Sequence, residues 1–84
     1  MTPYRVEWET EADDRLAEIW TNAKDRAAIT RAAHEIDRML TRDPENVGMA
    51  ISEGLRRVAV GPLTIFFSID MDKYLVEVAR VRTT

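Results

Sequence analysis

Four arginines in the last third of the chain are the side chains best suited to hold negative charge. They stand in two pairs, Arg56 with Arg57 and Arg80 with Arg82. A guanidinium group can form two parallel hydrogen bonds to a carboxylate or a phosphate. These arginines are therefore candidates for contact with an acidic protein segment or with nucleic acid. The alternative is that they only solvate the edges of strands, and the residue types alone leave both interpretations open.

Other side chains that could support catalysis or bind a metal ion are few. The chain has no cysteine, which excludes thiol chemistry and disulfides. The single histidine, His34, is predicted on the solvent side of a helix, with no serine or cysteine partner that it could activate. Glu11, Asp13 and Asp14 precede an amphipathic segment, where carboxylates stabilise the positive end of a helix. We therefore expect no metal site and no cofactor.

The charge is unevenly distributed along the chain. Residues 1–53 contain 7 basic and 12 acidic side chains, whereas residues 54–84 contain 5 and 3. The first part is therefore acidic and the last part mildly basic. Because affinity for nucleic acid depends mainly on neutralising phosphates, this balance argues against a general nucleic-acid binder and leaves room only for a local basic patch.

Length and composition indicate a single small globular domain spanning residues 1–84. The chain has 84 residues, of which 45% are hydrophobic. No apolar run approaches the ~20 residues that a membrane-spanning helix needs, and residues 1–20 lack the basic-then-apolar pattern of a signal peptide. Together with the absence of cysteine, these features predict a cytoplasmic protein without membrane association.

The arginines lie in a segment, Gly54 to Arg82, whose alternation predicts three antiparallel strands. The middle strand is the clearest, because the odd-numbered residues from Leu63 to Ile69 are all apolar and form one face. Gly61-Pro62 fits a two-residue type II′ turn before this strand. Asp70 to Lys73 predicts a second turn after it.

The last predicted strand contains a break in its alternation. Val76 and Val78 share a face, but Val81 is out of phase with them. A β-bulge near Ala79 or Arg80 would return Val81 to the apolar face and re-aim the arginines on either side of it. The alternative is a strand that ends early.

A short strand and two amphipathic helices are predicted ahead of this segment. Tyr4 to Trp8 has one apolar face, and Thr10 is the predicted N-cap of the first helix. Helical spacing relates the apolar residues of that helix, which are Ala12, Leu16, Ile19, Trp20 and Ala23. The second helix is predicted from about Asp25 to about Thr41. The short connection between the two helices favours an antiparallel hairpin.

The resulting order, β-α-α-β-β-β, predicts an α+β fold in which the helical hairpin packs on one face of an antiparallel sheet. Residues 43–54 are expected to form a linker, and the aromatic residues Trp8, Trp20 and Phe67 are expected in the core. No helix remains to cover the opposite face, which is predicted to present Arg57, Ala59, Thr64, Phe66, Ser68 and Glu77. An uncovered phenylalanine near arginines makes this open face a candidate binding surface. The edge of the C-terminal strand is a candidate site for an added strand.

This order of elements resembles the RelE/ParE toxin superfamily of bacterial type II toxin–antitoxin modules, the plasmid stabilisation family. A YRVEW strand leads into a helix of the pattern A-x-x-x-L-x-x-I-W at residues 12–20. A second helix, with Ile36 and Leu40 among its apolar residues, ends before Pro44. The pattern G-L-R-x-V-x-V-G-P follows at residues 54–62, and V-x-V-x-x-V at residues 76–81 closes a similarity that covers nearly the whole chain.

The resemblance implies one of two activities, each with its own partners. RelE-like members are metal-free, ribosome-dependent mRNA endonucleases that stabilise the phosphate with basic side chains on the open sheet face. ParE-like members inhibit DNA gyrase. Both kinds are silenced by an antitoxin protein, so the implied partners are an antitoxin and either the ribosome with mRNA or DNA gyrase. The implied contact residues are Arg56, Arg57, Phe66, Arg80 and Arg82.

The chain departs from the basic pattern that active members often show. Arg57 matches one basic position, but the next position on the same face is Ala59, and the position after the hairpin is Thr64. Thr83 and Thr84, which follow Arg82, do not match the basic or aromatic tail of the family. Because phosphate cleavage without a metal needs positioned cations, these departures favour a role other than catalysis.

Three functional hypotheses follow. The first is a toxin-like protein that binds a macromolecular target and is neutralised by an antitoxin. The second is a RelE-type mRNA endonuclease with Arg57, Arg80 and Arg82 as weak catalytic candidates. The third is a divergent interaction module without toxicity. We expect little or no ribonuclease activity, which favours the first hypothesis over the second.

Overall fold

The computed structural model describes residues 2–84, which form two α-helices and five β-strands. Along the chain the elements are β1 (Arg5–Trp8), α1 (Thr10–Asn22), α2 (Arg26–Arg42), β2 (Met49–Ser52), β3 (Leu55–Val60), β4 (Leu63–Asp70) and β5 (Leu75–Thr83), with a 3₁₀ turn at Pro44–Asn46 before β2. The α+β class and the predicted order of elements are confirmed. The added element is β2, which lies in the segment expected to be a linker.

The strands form one sheet in the order β1-β5-β4-β3-β2. Neighbours from β2 to β5 are antiparallel, as predicted, but β1 is parallel to β5 and the sheet is therefore mixed. The apolar side chains of β1 explain its place, because Val6 lies beside Val76 and Trp8 beside Val78. β1 thus extends the apolar face of β5, and the helical crossover leaves the two strands running in the same direction.

The predicted turns between the strands of the meander are present. Val60 pairs with Leu63 across Gly61-Pro62, and Gly61 has a φ of +56°. Positive φ at the first position followed by proline, which allows only negative φ, is the combination that a type II′ turn requires. The second turn begins at Asp70, whose carboxylate accepts a hydrogen bond of 3.2 Å from the backbone N–H of Lys73.

The predicted β-bulge in β5 is confirmed at Ala79. Phe66 pairs with Arg80 and Phe67 pairs with Val78, so Ala79 has no partner residue on β4. The extra residue puts Val81 on the same face as Val78, where it is buried. The bulge therefore also determines that Arg80 points to the opposite face, beside Phe66.

Both helices pack on one face of the sheet, as predicted. α1 lies along β5, whereas α2 contacts β1, β3 and β4. One buried cluster joins the helices to the sheet, and its members are Ala12, Ile19, Ile29, Ala32, Ile36, Leu40, Leu63, Ile65, Phe67, Val76, Val78 and Val81. Phe67 is fully buried, which confirms the predicted core face of β4.

Two local predictions about α1 are wrong. The N-cap is Glu9 rather than Thr10, and no side chain caps the helix. Trp20, predicted in the core, is 42% exposed. Its indole N–H donates to the hydroxyl of Thr30, and the guanidinium of Arg26 lies 4.7 Å from the centre of its ring. Trp20 falls at the margin of the apolar stripe, so polar partners on α2 hold it at the outer surface of the hairpin.

The second helix begins and ends near its predicted limits. Asp25 is the N-cap, and its carboxylate accepts a hydrogen bond of 3.0 Å from the backbone N–H of Ala28. The helix ends at Arg42, before the buried Pro44. His34 is exposed on this helix, as predicted.

Candidate interface on the open face of the sheet

A row of four cross-strand neighbours lies on the sheet face that the helices leave uncovered. Met49 on β2 pairs with Arg57 on β3, Arg57 pairs with Phe66 on β4, and Phe66 pairs with Arg80 on β5. Directly opposite residues project to the same side of a sheet. The row therefore places an aromatic ring between two guanidinium groups on one surface.

A third arginine completes this group. Arg82 pairs with Thr64, and its guanidinium carbon lies 5.5 Å from the centre of the Phe66 ring. That distance is within the range of a cation–π interaction. We call Arg57, Phe66, Arg80 and Arg82 the Phe66 cluster. The structure thus brings together four of the five residues expected to contact a partner.

Arg56, the fifth expected contact residue, lies on the other face of the sheet. It pairs with Phe67, and its guanidinium donates hydrogen bonds of 3.2 Å to the backbone carbonyls of Val47 and Gly48. The side chain is half-buried. Arg56 therefore holds the segment that leads into β2 and is not part of the Phe66 cluster.

Two other residues predicted on the open face, Thr64 and Glu77, differ in burial and in the charge of their neighbours. Thr64 lies on the open face as predicted, but it is only 5% exposed and its hydroxyl shares a hydrogen bond of 3.0 Å with that of Thr84. Glu77 pairs with Ser68 on one side and with Glu7 of β1 on the other. The open face is therefore basic around Phe66 and acidic toward β1.

The Phe66 cluster opens into a groove between α1 and the second half of β5. The groove has a volume of about 340 Å³, and its lining includes Glu11, Arg15, Phe66, Arg80 and Arg82. Glu11 and Arg15 were not predicted as site residues, because more than fifty positions separate them from Phe66 and no local pattern links them. The arginines of the groove could bind a phosphate or a carboxylate. Glu11 adds one negative charge to the lining.

The edge of the C-terminal strand is occupied only in its first half. β1 pairs with Leu75 to Val78, and β1 is the strand that lies beside β5 on that side of the sheet. Residues 79–83 extend beyond β1, so the edge there stays a candidate site for an added strand, as do the outer strands β1 and β2.

Other kinds of site receive no support within residues 2–84. That part of the chain contains no group of three or more histidine, aspartate or glutamate side chains arranged to hold a metal ion. No helix in the same residues is long and apolar enough to cross a membrane.

Comparison with known proteins gives matches among solved structures. No protein-family model and no curated protein matches the chain. The toxin–antitoxin complex RelBE2 from Mycobacterium tuberculosis contains a chain with a TM-score of 0.82 and 22% identity, covering 100% of this chain and 94% of that one. A chain of the chromosomal ParDE toxin–antitoxin system from P. aeruginosa matches with a TM-score of 0.73 and 13% identity, covering 96% of this chain and 96% of that one. A chain of the RelE–RelB complex from Pyrococcus horikoshii matches with a TM-score of 0.70 and 16% identity, covering 99% of this chain and 96% of that one. The chain therefore has the RelE/ParE fold over its whole length, as its sequence resemblance implied.

Proposed function

We propose that the chain is the toxin-like component of a type II toxin–antitoxin module, which binds a macromolecular target and is neutralised by an antitoxin. The observation that most supports this proposal is the Phe66 cluster on an uncovered sheet face of a RelE/ParE fold. Solved structures with this fold come from toxin–antitoxin complexes.

The composition of the Phe66 cluster favours a protein partner. Phe66 provides an apolar centre, and Arg57, Arg80 and Arg82 surround it with charge. Protein interfaces commonly have an apolar core and a polar rim, and aromatic residues dominate their binding energy. A segment of the antitoxin with acidic residues around an apolar one would complement this surface.

Growth under induced expression tests the toxin assignment. Expression of the chain alone should arrest growth, and coexpression of the small protein encoded beside its gene should restore it. The chain must accumulate as folded protein to the same level with and without its partner. If growth is then normal with the chain alone, the third hypothesis, a divergent interaction module without toxicity, is supported. Failure of the two proteins to copurify would contradict the antitoxin assignment.

A second candidate function is RelE-type, ribosome-dependent mRNA cleavage in the bacterial cytoplasm. One arrangement favours it, because Arg80, Arg82 and Glu11 line the same groove and could act on a phosphate together. Two features count against it. Ala59 and the buried Thr64 occupy positions where cations would be expected, and metal-free phosphate cleavage depends on such positioned cations.

The target of the toxin follows from which of these functions holds. A ribosome-bound nuclease should stop translation in a cell-free system, whereas a gyrase inhibitor should stop DNA supercoiling by purified gyrase. We favour inhibition of a target by binding, as in a gyrase inhibitor, over a ribosome-bound nuclease, since inhibition by binding needs no catalytic groups. Inhibition of translation with unimpaired supercoiling would reverse this order.

A further inference from the structure

Glu11 is an acidic residue in the otherwise basic lining of the groove between α1 and the second half of β5. Arg15, Arg80 and Arg82 line the same groove, yet Glu11 forms no salt bridge with any side chain of residues 2–84. Its own side chain is exposed. Because Glu11 is left unpaired beside these cations, its carboxylate acts directly on the charge of any ligand that enters the groove.

The charges of the groove sum to one positive unit. Arg15, Arg80 and Arg82 contribute three positive charges, and Glu11 contributes one negative charge. Arg15 is also paired with Glu18, which lies one turn further along α1 and cancels a second positive charge. A single carboxylate therefore neutralises the groove, whereas two adjacent anions exceed its positive charge.

Glu11 also lies at the boundary between this groove and an acidic surface. It lines a second groove, of about 550 Å³, together with Glu7, Glu9 and Glu77. A chain of phosphates that continues from Arg80 toward β1 meets these carboxylates, because every nucleotide carries a negative charge. A polypeptide can instead place a neutral or basic residue next to its carboxylate, which removes the repulsion.

We propose that Glu11 is a specificity-determining residue of the groove, which admits a carboxylate side chain of a protein partner and excludes the phosphate backbone of RNA. The partner segment presents its carboxylate to Arg80 and Arg82, and beside it a hydrogen-bond donor, such as an ammonium or amide group, to Glu11. This inference rests on the proposed function, since the partner that it describes is the antitoxin.

The alternative role of Glu11 is to stabilise the start of α1, because carboxylates in the first turn of a helix interact favourably with its dipole. Asp13 shares that role, since both residues lie in the first turn of α1 and both are exposed. Asp13, however, lines the outer surface of the helical hairpin and not the groove. Glu11→Gln and Asp13→Asn each change the net charge from −3 to −2, so Asp13→Asn is the matched control. Circular dichroism should report the same fold for both variants.

Fluorescence anisotropy with a labelled single-stranded oligoribonucleotide at about 50 mM salt tests the exclusion of phosphates. Glu11→Gln should tighten RNA binding about threefold, which is the effect of one charge at roughly 6 Å in water, and Glu11→Lys should tighten it about tenfold. Asp13→Asn should leave RNA binding within about 1.5-fold of the wild type, because its charge is further from the groove and is screened. Equal tightening by Glu11→Gln and Asp13→Asn, or no tightening by Glu11→Lys, would overturn the inference.

Calorimetry with the small protein encoded beside the gene tests the protein side of the specificity. Glu11→Lys should weaken this complex at least about threefold, because it replaces an acceptor by a positive charge opposite the donor of the partner. The same substitution therefore changes the affinities for protein and for RNA in opposite directions, whereas a purely structural role would lower both. Tighter binding of the protein by Glu11→Lys would overturn the inference. Absence of binding by the wild type would instead contradict the antitoxin partner, and the RNA measurement would still decide the role of Glu11.

Discussion

Phe66 and Phe67 are neighbours in sequence with opposite surroundings. Phe67 is fully buried against the helices, whereas Phe66 is half-buried on the open face with Arg82 over its ring. Alternation along β4 separates the two rings, one packed in the core and the other on the proposed interface. Substitution of each residue should therefore affect a different measurement.

Phe67→Ala should reduce the free energy of unfolding by about 3–5 kcal/mol, because it leaves a cavity in the core. Phe66→Ala is the matched control and should lose less than ~2 kcal/mol, since its ring is only partly removed from water. Urea denaturation followed by circular dichroism gives both values. Equal losses for the two variants would show that the faces of β4 are assigned incorrectly.

Phe66→Ala should also weaken binding of the antitoxin, with a Kd about 30-fold higher or more, because a buried aromatic anchor dominates an interface. Arg57→Ala should raise the Kd only about 2- to 5-fold, since charges at a rim contribute little. Met71→Ala is the control, because Met71 is an exposed apolar residue on the β4–β5 turn.

Calorimetry with the product of the adjacent reading frame is the measurement for these three variants. Unchanged binding by both Phe66→Ala and Arg57→Ala would place the interface elsewhere, most plainly on the acidic helices.

The position of β2 depends on close contact between the backbone of Gly48, which precedes it, and the backbone of β3. Gly48 has a φ of +70°, and a Cβ at this position would overlap the carbonyl oxygen of Arg57. Gly54, in the β2–β3 turn, has a φ of +77° but no atom within 4 Å of such a Cβ. The two glycines share a positive φ and differ in the space around them.

Gly54→Ala should therefore cost only the ~1–2 kcal/mol of a left-handed backbone. Gly48→Ala should cost more than that, because the backbone of β2 must also move away from β3. Thermal unfolding of both variants, with hydrogen exchange at residues 49–52, tests this comparison. A smaller loss for Gly48→Ala than for Gly54→Ala would contradict the close approach of β2 to β3.

The molecule as a whole is acidic, with a net charge of −3, although its open face is basic around Phe66. Such a distribution favours a local contact with an acidic protein segment over extended binding to RNA. The open face also provides few of the positioned cations on which metal-free cleavage of RNA depends. We therefore expect the chain to bind its target without cutting RNA.

Mapping of mRNA ends by primer extension during induced expression should show no codon-phased cleavage. Arg57→Ala is the necessary comparison, because any background cleavage that comes from other nucleases will be the same in both strains. Codon-phased cleavage that disappears in Arg57→Ala would contradict this expectation and favour the RelE-type endonuclease.

Local patterns in the sequence predicted the two helices, the turns of the meander and the faces of β4 and β5. The turn at Gly61-Pro62 and the bulge at Ala79 were predictable because each depends on residues only a few positions apart. The same is true of the burial of Phe67, which follows from alternation along one strand. The presence of Phe66 and the arginines as candidates also came from the sequence.

Tertiary contacts decided how these parts combine. The parallel pairing of β1 with β5, the pairing of β2 with β3 and the exposure of Trp20 depend on residues that are distant in sequence or on another element. Tertiary contacts also bring Glu11 to the groove of the Phe66 cluster, whereas alternation along β3 alone separates Arg56 from Arg57. Side-chain periodicity specifies the face on which a residue lies, but the neighbours of that face are specified only when the whole chain has packed.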